Sequence, residues 1–252
     1  MSRRPARLLR ALLDWRTVVF ALGVALGVAT IATPLDRSGQ EGLLTAHLIQ
    51  HIVLGDLVAP LLLLGLPVGV QRLLREALLA ISTSSAPVAR AATFVLSPVG
   101  ALIVWTAVSY TWFVPALHVR AAPGGFVHGL DHVSFLLFGL LIWLGAFDPR
   151  PARPVAEALR TGGLPWWARH IYAMVARLSM LPPAIAVWLA APSAYYATDD
   201  RLPFGLTQPQ DQERAASVMI GFEMLLFSLA FVLAFIFVSV SEGRERSRQA
   251  SG

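Results

Sequence analysis

Long apolar blocks that are almost free of charge constrain this sequence more than any other feature. A helix needs about 20 mostly apolar residues to cross a bilayer, and six segments of the chain qualify. They are too long for barrel strands and do not alternate in hydropathy. The sequence therefore predicts an all-α, polytopic integral membrane helical bundle with six transmembrane helices, at 16–33, 43–69, 92–117, 126–147, 169–191 and 211–240.

Composition excludes other classes of protein. Apolar residues make up 56% of the 252 residues and charged residues 14%, whereas soluble domains carry about 25% charged residues. The absence of cysteine excludes a disulfide framework, a thiolate metal site and a cysteine nucleophile. All basic residues are arginines that lie mostly between the apolar blocks, so no basic surface faces nucleic acid. We expect one membrane domain over 1–252.

The arginines predict the orientation of the bundle. Fifteen lie in the two terminal tails and in the second and fourth connections, and four lie on the opposite side. Positive charge is retained in the cytoplasm, so both termini are predicted to be cytoplasmic (N-in/C-in). The first span also has the basic start of a signal peptide, but Thr30-Ile31-Ala32 is a poor cleavage site, and we expect the span to be retained.

Two further local expectations concern connections and kinks. The segment 71–90 reads either as an amphipathic helix on the cytoplasmic surface, with Leu73, Leu74, Leu78 and Ile81 on one face, or as a solvated linker. Pro60, Pro98 and the Pro182–Pro183 pair are expected to kink their spans, with neighbouring helices satisfying the freed carbonyls.

Four of the six histidines form two pairs at i, i+4, His47/His51 and His128/His132, near the outer ends of the second and fourth spans. This spacing stacks two imidazoles on one helix face. Asp211 begins the sixth span on the same side, and Met219 lies about two turns deeper. Ionisable groups in spans are usually functional, which favours a metal or cofactor over interfacial histidines. Imidazole suits copper, zinc or iron, and a thioether favours Cu(I); one site or two remain open.

Polar neighbours of these histidines could support a metal site. Asp131 could orient a ligand histidine, or it could simply favour the start of the fourth helix. Gln50 and Gln212 are assigned the same supporting role. A zinc hydrolase is disfavoured, because His47-Leu-Ile-Gln-His51 lacks the glutamate of H-E-x-x-H, and the resemblance of His128-Gly-Leu-Asp131-His132 to H-x-x-E-H is weak. We therefore expect a protein that is not an enzyme.

A charge cluster is predicted near the membrane midplane. Asp56, Arg177 and Glu223 fall about half-way along the second, fifth and sixth spans, and unpaired charges are costly there. We expect them to pair, either as a structural clamp or as a path for protons or metal. Of the two remaining histidines, His118 is expected to be a solvated loop residue and His170 to face lipid headgroups.

Several motifs, taken in order, resemble the family of cytochrome c oxidase assembly factor CtaG, which is linked with caa-type oxidases. The motifs are Thr45-Ala-His47-Leu-Ile-Gln50-His51, Ala59-Pro60 through Gly65-Leu-Pro67, Trp112-x-x-Pro115, His128-x-x-Asp131-His132-x-x-Phe135 and Asp211-Gln212-x-x-Ala215. The chain departs from the family pattern at three positions, with Phe113 where a histidine is expected, Asp131 in place of glutamate and Ala216 in place of glycine.

The resemblance implies a multi-pass protein of the bacterial plasma membrane that delivers copper to the copper-B centre of cytochrome c oxidase subunit I. An extracytoplasmic copper chaperone would be the donor. The implied ligands are His47, His51, His128 and His132, with Asp211 and Met219 in support. Two alternatives remain, since imidazoles also hold haem b in electron-transfer proteins and a polar midplane layer is a feature of a copper permease.

Overall fold

The computed structural model describes residues 14–191, 194–196 and 202–250, with side chains as far as 232. The arginines predicted to orient the N-terminal tail at 1–13, and Arg201, lie outside the described residues. In chain order the helices are α1 (Trp15–Ala32), α2 (Pro34–Gln40), α3 (Leu44–Ile52), α4 (Ala59–Gly65), α5 (Val68–Thr83), α6 (Pro87–Val95), α7 (Pro98–Trp112), α8 (Pro115–Ala121), α9 (Phe126–Ala146), α10 (Val155–Thr161), α11 (Trp166–Leu178), α12 (Leu181–Leu189) and α13 (Gln208–Ala250). A π-helical turn, Val53–Val58, joins α3 to α4.

The all-helical membrane fold is confirmed, with five or six spans in the described part of the chain. Five segments are long and apolar enough to cross a membrane: α1, α3 through α4, α9, α11 through α12, and α13 as far as Val232. A sixth exists only if α6 and α7, which meet at 72°, count as one span. Length and composition do not fix the direction of insertion, so cytoplasmic termini remain a prediction.

The predicted third span, 92–117, is wrong at both ends. Pro98 begins α7 instead of kinking a continuous helix, because the Ser97 side chain accepts a hydrogen bond from the Gly100 amide and caps a new N-terminus. A proline fits the first turn, where its missing amide has no helical partner. At the other end α7 stops at Trp112, and Tyr195 donates a hydrogen bond to the freed Phe113 carbonyl, at 3.0 Å.

The regular α-helix is interrupted at the other two expected positions, and side chains of other helices satisfy the backbone there. Pro183 cannot donate to the Ser179 carbonyl, and Tyr110 of α7 donates to it instead, at 2.8 Å. The second break is the π-helical turn, which leads into Pro60. The Gly55 carbonyl accepts a hydrogen bond from the Trp143 indole of α9, at 3.0 Å.

Two other predicted boundaries are also wrong. The second span ends at Gly65 rather than at residue 69, because Leu66 is extended and Pro67 precedes a new helix. The amphipathic helix predicted over 71–90 begins earlier and ends at Thr83, before α6 starts at Pro87. Within that helix Leu78 is buried in the bundle and Leu73 is exposed.

Small residues bring the membrane helices close together around α9. A Cβ atom on Gly139 would lie 2.8 Å from the Gly55 backbone, so α9 packs directly on the π-helical turn. Close approach through small residues is how helices associate in lipid. Helix α1 packs on α4 through Gly65, where a Cβ atom would lie 2.3 Å from the Phe20 nitrogen. These contacts hold α3, α4 and α9 together as the centre of the bundle.

A buried ion pair that the sequence analysis did not predict stabilises the end of the bundle where α7 begins. Asp148 and Arg150 are both buried and joined at 2.7 Å, and Arg150 also donates to the Leu96 carbonyl at the break between α6 and α7. The Gly163 amide donates to Asp148, which closes the loop that carries α10. This network is internally satisfied, and it ties that loop to the bend in the chain.

Candidate metal centre

The first turns of α3 and α9 lie at the same end of the bundle and bring the two histidine pairs together. His47 and His51 lie on one face of α3, and His128 and His132 lie on one face of α9. The imidazole centroids are 5.4 Å apart between His47 and His132 and 5.7 Å apart between His51 and His132. All four rings are buried. We call His47, His51, His132 and Asp131 the histidine cluster.

Asp131 joins the two histidines of α3 to α9. Its Oδ2 atom lies 2.9 Å from Nε2 of His47 and 2.8 Å from Nε2 of His51. An ionised carboxylate only accepts hydrogen bonds, so both imidazoles donate from Nε2. Each neutral ring then keeps a lone pair on Nδ1, and the carboxylate fixes the tautomer and the orientation of both rings.

The polar atoms left over in this cluster have the chemistry of a metal site. Nδ1 of His47, Nδ1 of His51, Nε2 of His132 and Oδ1 of Asp131 are buried and have no hydrogen-bond partner within the described part of the chain. Buried polar atoms without partners are rare in folded proteins and call for an unseen ligand, ion or water. One potential ligand atom from each of the four residues lies within 4.8 Å of the others.

His128 is held differently from the other three histidines. Its Nδ1 faces the Ala121 carbonyl at 3.1 Å, and its Nε2 faces the Asp36 carboxylate at 3.0 Å. Only a doubly protonated ring donates to both acceptors, unless a cation replaces the proton between Nε2 and Asp36. Asp36, His128 and His132 form a second group with metal-ligand spacing. The structure thus offers two adjoining positions that share His132.

Asp36 comes from the short helix α2, and sequence reasoning missed it. Gln50 donates to Asp36 Oδ1 at 2.9 Å and to the Thr30 carbonyl at 3.1 Å. Burial by itself raises the pKa of Asp36, but the hydrogen bonds from His128 and Gln50 outweigh it and hold that pKa below its ordinary value. Gln50 therefore supports the second group indirectly. The proline after Thr33, a signal for the start of a helix, could have revealed α2.

The expectation that His118 is a solvated loop histidine is wrong. It lies on α8, its exposed fraction is 3%, and its ring centroid is 4.9 Å from that of His47. Burial lowers the pKa of His118 well below its ordinary value. His118 is therefore a neutral imidazole covering the cluster. Pro115, just after α7, is the sequence signal for the helix that carries it.

Asp211 has another role in the structure than that of a ligand. It is fully buried and accepts hydrogen bonds from the Leu44 amide at 2.7 Å, the Thr45 hydroxyl at 2.6 Å and the Tyr196 hydroxyl at 3.0 Å. The first amides of a helix have no partner within the helix and carry partial positive charge, so a carboxylate is stabilising there. Asp211 holds α13 to the start of α3 and thereby positions His47 one turn away.

Gln212 also lies elsewhere, since its amide donates to the Val187 and Ala190 carbonyls, each at 2.7 Å, and caps the end of α12. Met219 is buried and lines a cavity next to His51, deeper in the bundle. Phe113 packs edge-on to His51 with centroids 6.3 Å apart. It forms an aromatic wall beside that imidazole.

The predicted charge cluster of Asp56, Arg177 and Glu223 is present. Nη1 of Arg177 is hydrogen-bonded to Asp56 and lies 3.6 Å from Oε1 of Glu223. The guanidinium also lies 5.2 Å from the ring centroid of Trp143. Its Nε and Nη2 atoms, and Oε2 of Glu223, have no hydrogen-bond partner within the described residues. The pairing holds three spans together, and the three unpartnered atoms could still form hydrogen bonds.

Comparison with known proteins identifies the family. The family model described as cytochrome c oxidase caa3 assembly factor matches residues 1–240. No curated protein matches the chain, and no solved structure matches it.

Proposed function

The chain belongs to the cytochrome c oxidase caa3 assembly factor family, and we propose that it serves oxidase assembly by binding copper in the histidine cluster. The observation that supports copper binding most strongly is the convergence of three imidazoles and one carboxylate, each with a potential ligand atom within 4.8 Å of the others. Each of these side chains also has a buried polar atom without a hydrogen-bond partner among the described residues. Imidazole ligands suit copper. Because the site contains no thiolate ligand, another protein can remove Cu(I) from it.

The proposed role is transfer of an ion by ligand exchange, without catalysis. Asp131 would orient His47 and His51, and His118 would cover the cluster without adding charge. We further propose that an extracytoplasmic copper chaperone supplies the ion and that subunit I of the oxidase receives it at copper-B. The positions of the arginines support this direction, because they predict that the cluster faces the outer leaflet of the bacterial plasma membrane.

The packing of the rings favours an ion over haem b. Imidazole centroids in the cluster are 4.5 to 5.7 Å apart, so a porphyrin could enter only if α3 and α9 separated. The tight contact of Gly139 with the π-helical turn opposes that separation. Pure protein without a Soret absorption band would agree with the proposal, and a stoichiometric haem b spectrum would contradict it.

The proposal is tested in cells whose own copy is replaced by a variant carrying His47→Ala, His51→Ala and His132→Ala together. We expect the purified oxidase from these cells to have lost most of its copper-B while subunit I is still made. A matched control is His170→Ala, a histidine of α11 outside the cluster whose Nδ1 lies 2.9 Å from the Trp166 carbonyl of its own helix. Normal copper-B content with the triple variant, at normal levels of the protein, would contradict copper delivery by this cluster.

A further inference from the structure

A narrow cavity lies between the histidine cluster and the charge cluster. It is lined by His51 of the histidine cluster, by Asp56 and Glu223 of the charge cluster, and by Met180 and Met219. All of these side chains are buried. The cavity therefore connects the candidate metal centre with the midplane of the bundle, and lipid does not reach it.

The methionines of the membrane helices are unevenly placed. The described part of the chain contains Met174, Met180, Met219 and Met224, and of these only Met180 and Met219 are fully buried. Both line this cavity, although they come from different spans. Methionine also fills gaps in apolar cores, but here the two thioethers share a cavity with an imidazole that has an unpartnered Nδ1.

The lining of the cavity suits one kind of ion. Thioether ligands favour Cu(I), and imidazole also binds copper. The remaining walls are largely aromatic, with Trp105, Phe113 and Phe135, and His51 stacks on Phe135 at a centroid distance of 3.8 Å. Such walls exclude water, which protects Cu(I). The soft donors are uncharged, so an ion bound there can leave again.

We propose that His51, Met180 and Met219 form a second Cu(I) site directly beneath the histidine cluster. The proposal rests on the proposed function, because copper would enter at the histidine cluster. His51 belongs to both sites, so the ion can move between them by exchange of coordination bonds, with no change in oxidation state. The chain would hold copper at two depths, the deeper position being the softer.

The test is Cu(I) binding to the full-length protein in detergent, under anaerobic reducing conditions, with X-ray absorption at the copper edge. Because His51 offers one free nitrogen, we expect the ion to be shared between the two positions and the wild type to show sulfur as well as nitrogen ligands. Replacing Met180→Leu and Met219→Leu together should remove all of the sulfur signal and leave nitrogen-liganded copper. The shapes are similar, so the fold should persist, which thermal unfolding checks. The matched control is Met174→Leu with Met224→Leu, which should behave as the wild type.

The outcomes separate the two proposals. Wild-type protein that binds copper through nitrogen and oxygen alone would overturn the methionine site and leave the proposed function standing. A sulfur signal that survives Met180→Leu with Met219→Leu would overturn it as well. Wild-type protein that binds no Cu(I) would instead overturn the proposed function itself. The wild-type spectrum decides the question even if the double variant does not fold.

Discussion

Nε2 of His47 lies 2.9 Å from Oδ2 of Asp131, across the contact between α3 and α9. The bond joins two spans that are 84 residues apart in the chain, and it sets which nitrogen of His47 carries the proton. A carboxylate that orients a metal-binding imidazole commonly determines the affinity of the site. The candidate metal centre is therefore formed where α3 and α9 pack together, by residues of both helices.

We expect Asp131→Asn to weaken copper binding without unfolding the protein. The amide keeps the shape of the carboxylate but loses its charge, and removing such a supporting partner typically lowers metal affinity about 10- to 100-fold. Competition with a coloured copper chelator measures the change. The control is Glu157→Gln, the same chemical change at an exposed ion pair on α10. Equal affinities for Asp131→Asn and the wild type would show that Asp131 does not act on the site.

Asp211→Ala should lower stability and leave the copper stoichiometry of the folded protein unchanged. The substitution leaves the buried amide of Leu44 without its acceptor, which costs about 1–3 kcal/mol. Thermal unfolding in detergent measures the loss, with the exposed Glu213→Ala next to it as the control. Loss of copper from folded Asp211→Ala protein would contradict a role of Asp211 that is limited to stability.

Arg177→Leu should be strongly destabilising because it leaves Asp56 and Glu223 buried without a cation. Breaking a buried ion pair from one side costs about 3–5 kcal/mol. Adding Asp56→Leu to Arg177→Leu should recover part of the loss, since one unpaired charge is then removed. Arg160→Leu, at an exposed position of α10, serves as the control for loss of an arginine. Unchanged thermal stability of Arg177→Leu would exclude a structural clamp.

Tyr110→Phe should destabilise the break between α11 and α12 by about 1 kcal/mol, the usual net value of one hydrogen bond. The same substitution should cost less in a Pro183→Ala background, because the alanine amide can then donate to the Ser179 carbonyl. A double-mutant cycle measured by thermal unfolding gives this coupling. If the effects of the two substitutions simply add, the Tyr110 hydroxyl does not take the place of the backbone amide that Pro183 lacks.

Much of the fold could be predicted from the sequence, because the length of an apolar segment determines whether its helix can cross a membrane. The histidine pairs were also readable, since i, i+4 spacing fixes their common face. The break at Pro98 was not, because it depends on the local cap formed by Ser97. Asp36 and His118 were missed for a different reason. Each comes from a short helix between spans, and only tertiary packing carries that helix to the cluster.

Asp211 shows the limit of reasoning from depth alone. Its position at the start of α13 correctly placed it at the histidine end of the bundle. Spacing could not show that the amides of Leu44 and Thr45 would face its carboxylate and claim it as a helix cap. A carboxylate at the correct depth has two possible roles, as a ligand or as a cap, and only the direction of its neighbours decides between them.

The most direct test of the central claim is copper analysis of purified protein loaded with Cu(I), comparing the wild type with His47→Ala, His51→Ala and His132→Ala combined. We expect nitrogen-liganded copper in the wild type and in His170→Ala, and its loss from the triple variant while the helical content persists. Wild-type stoichiometry of nitrogen-liganded copper in the folded triple variant would contradict the account.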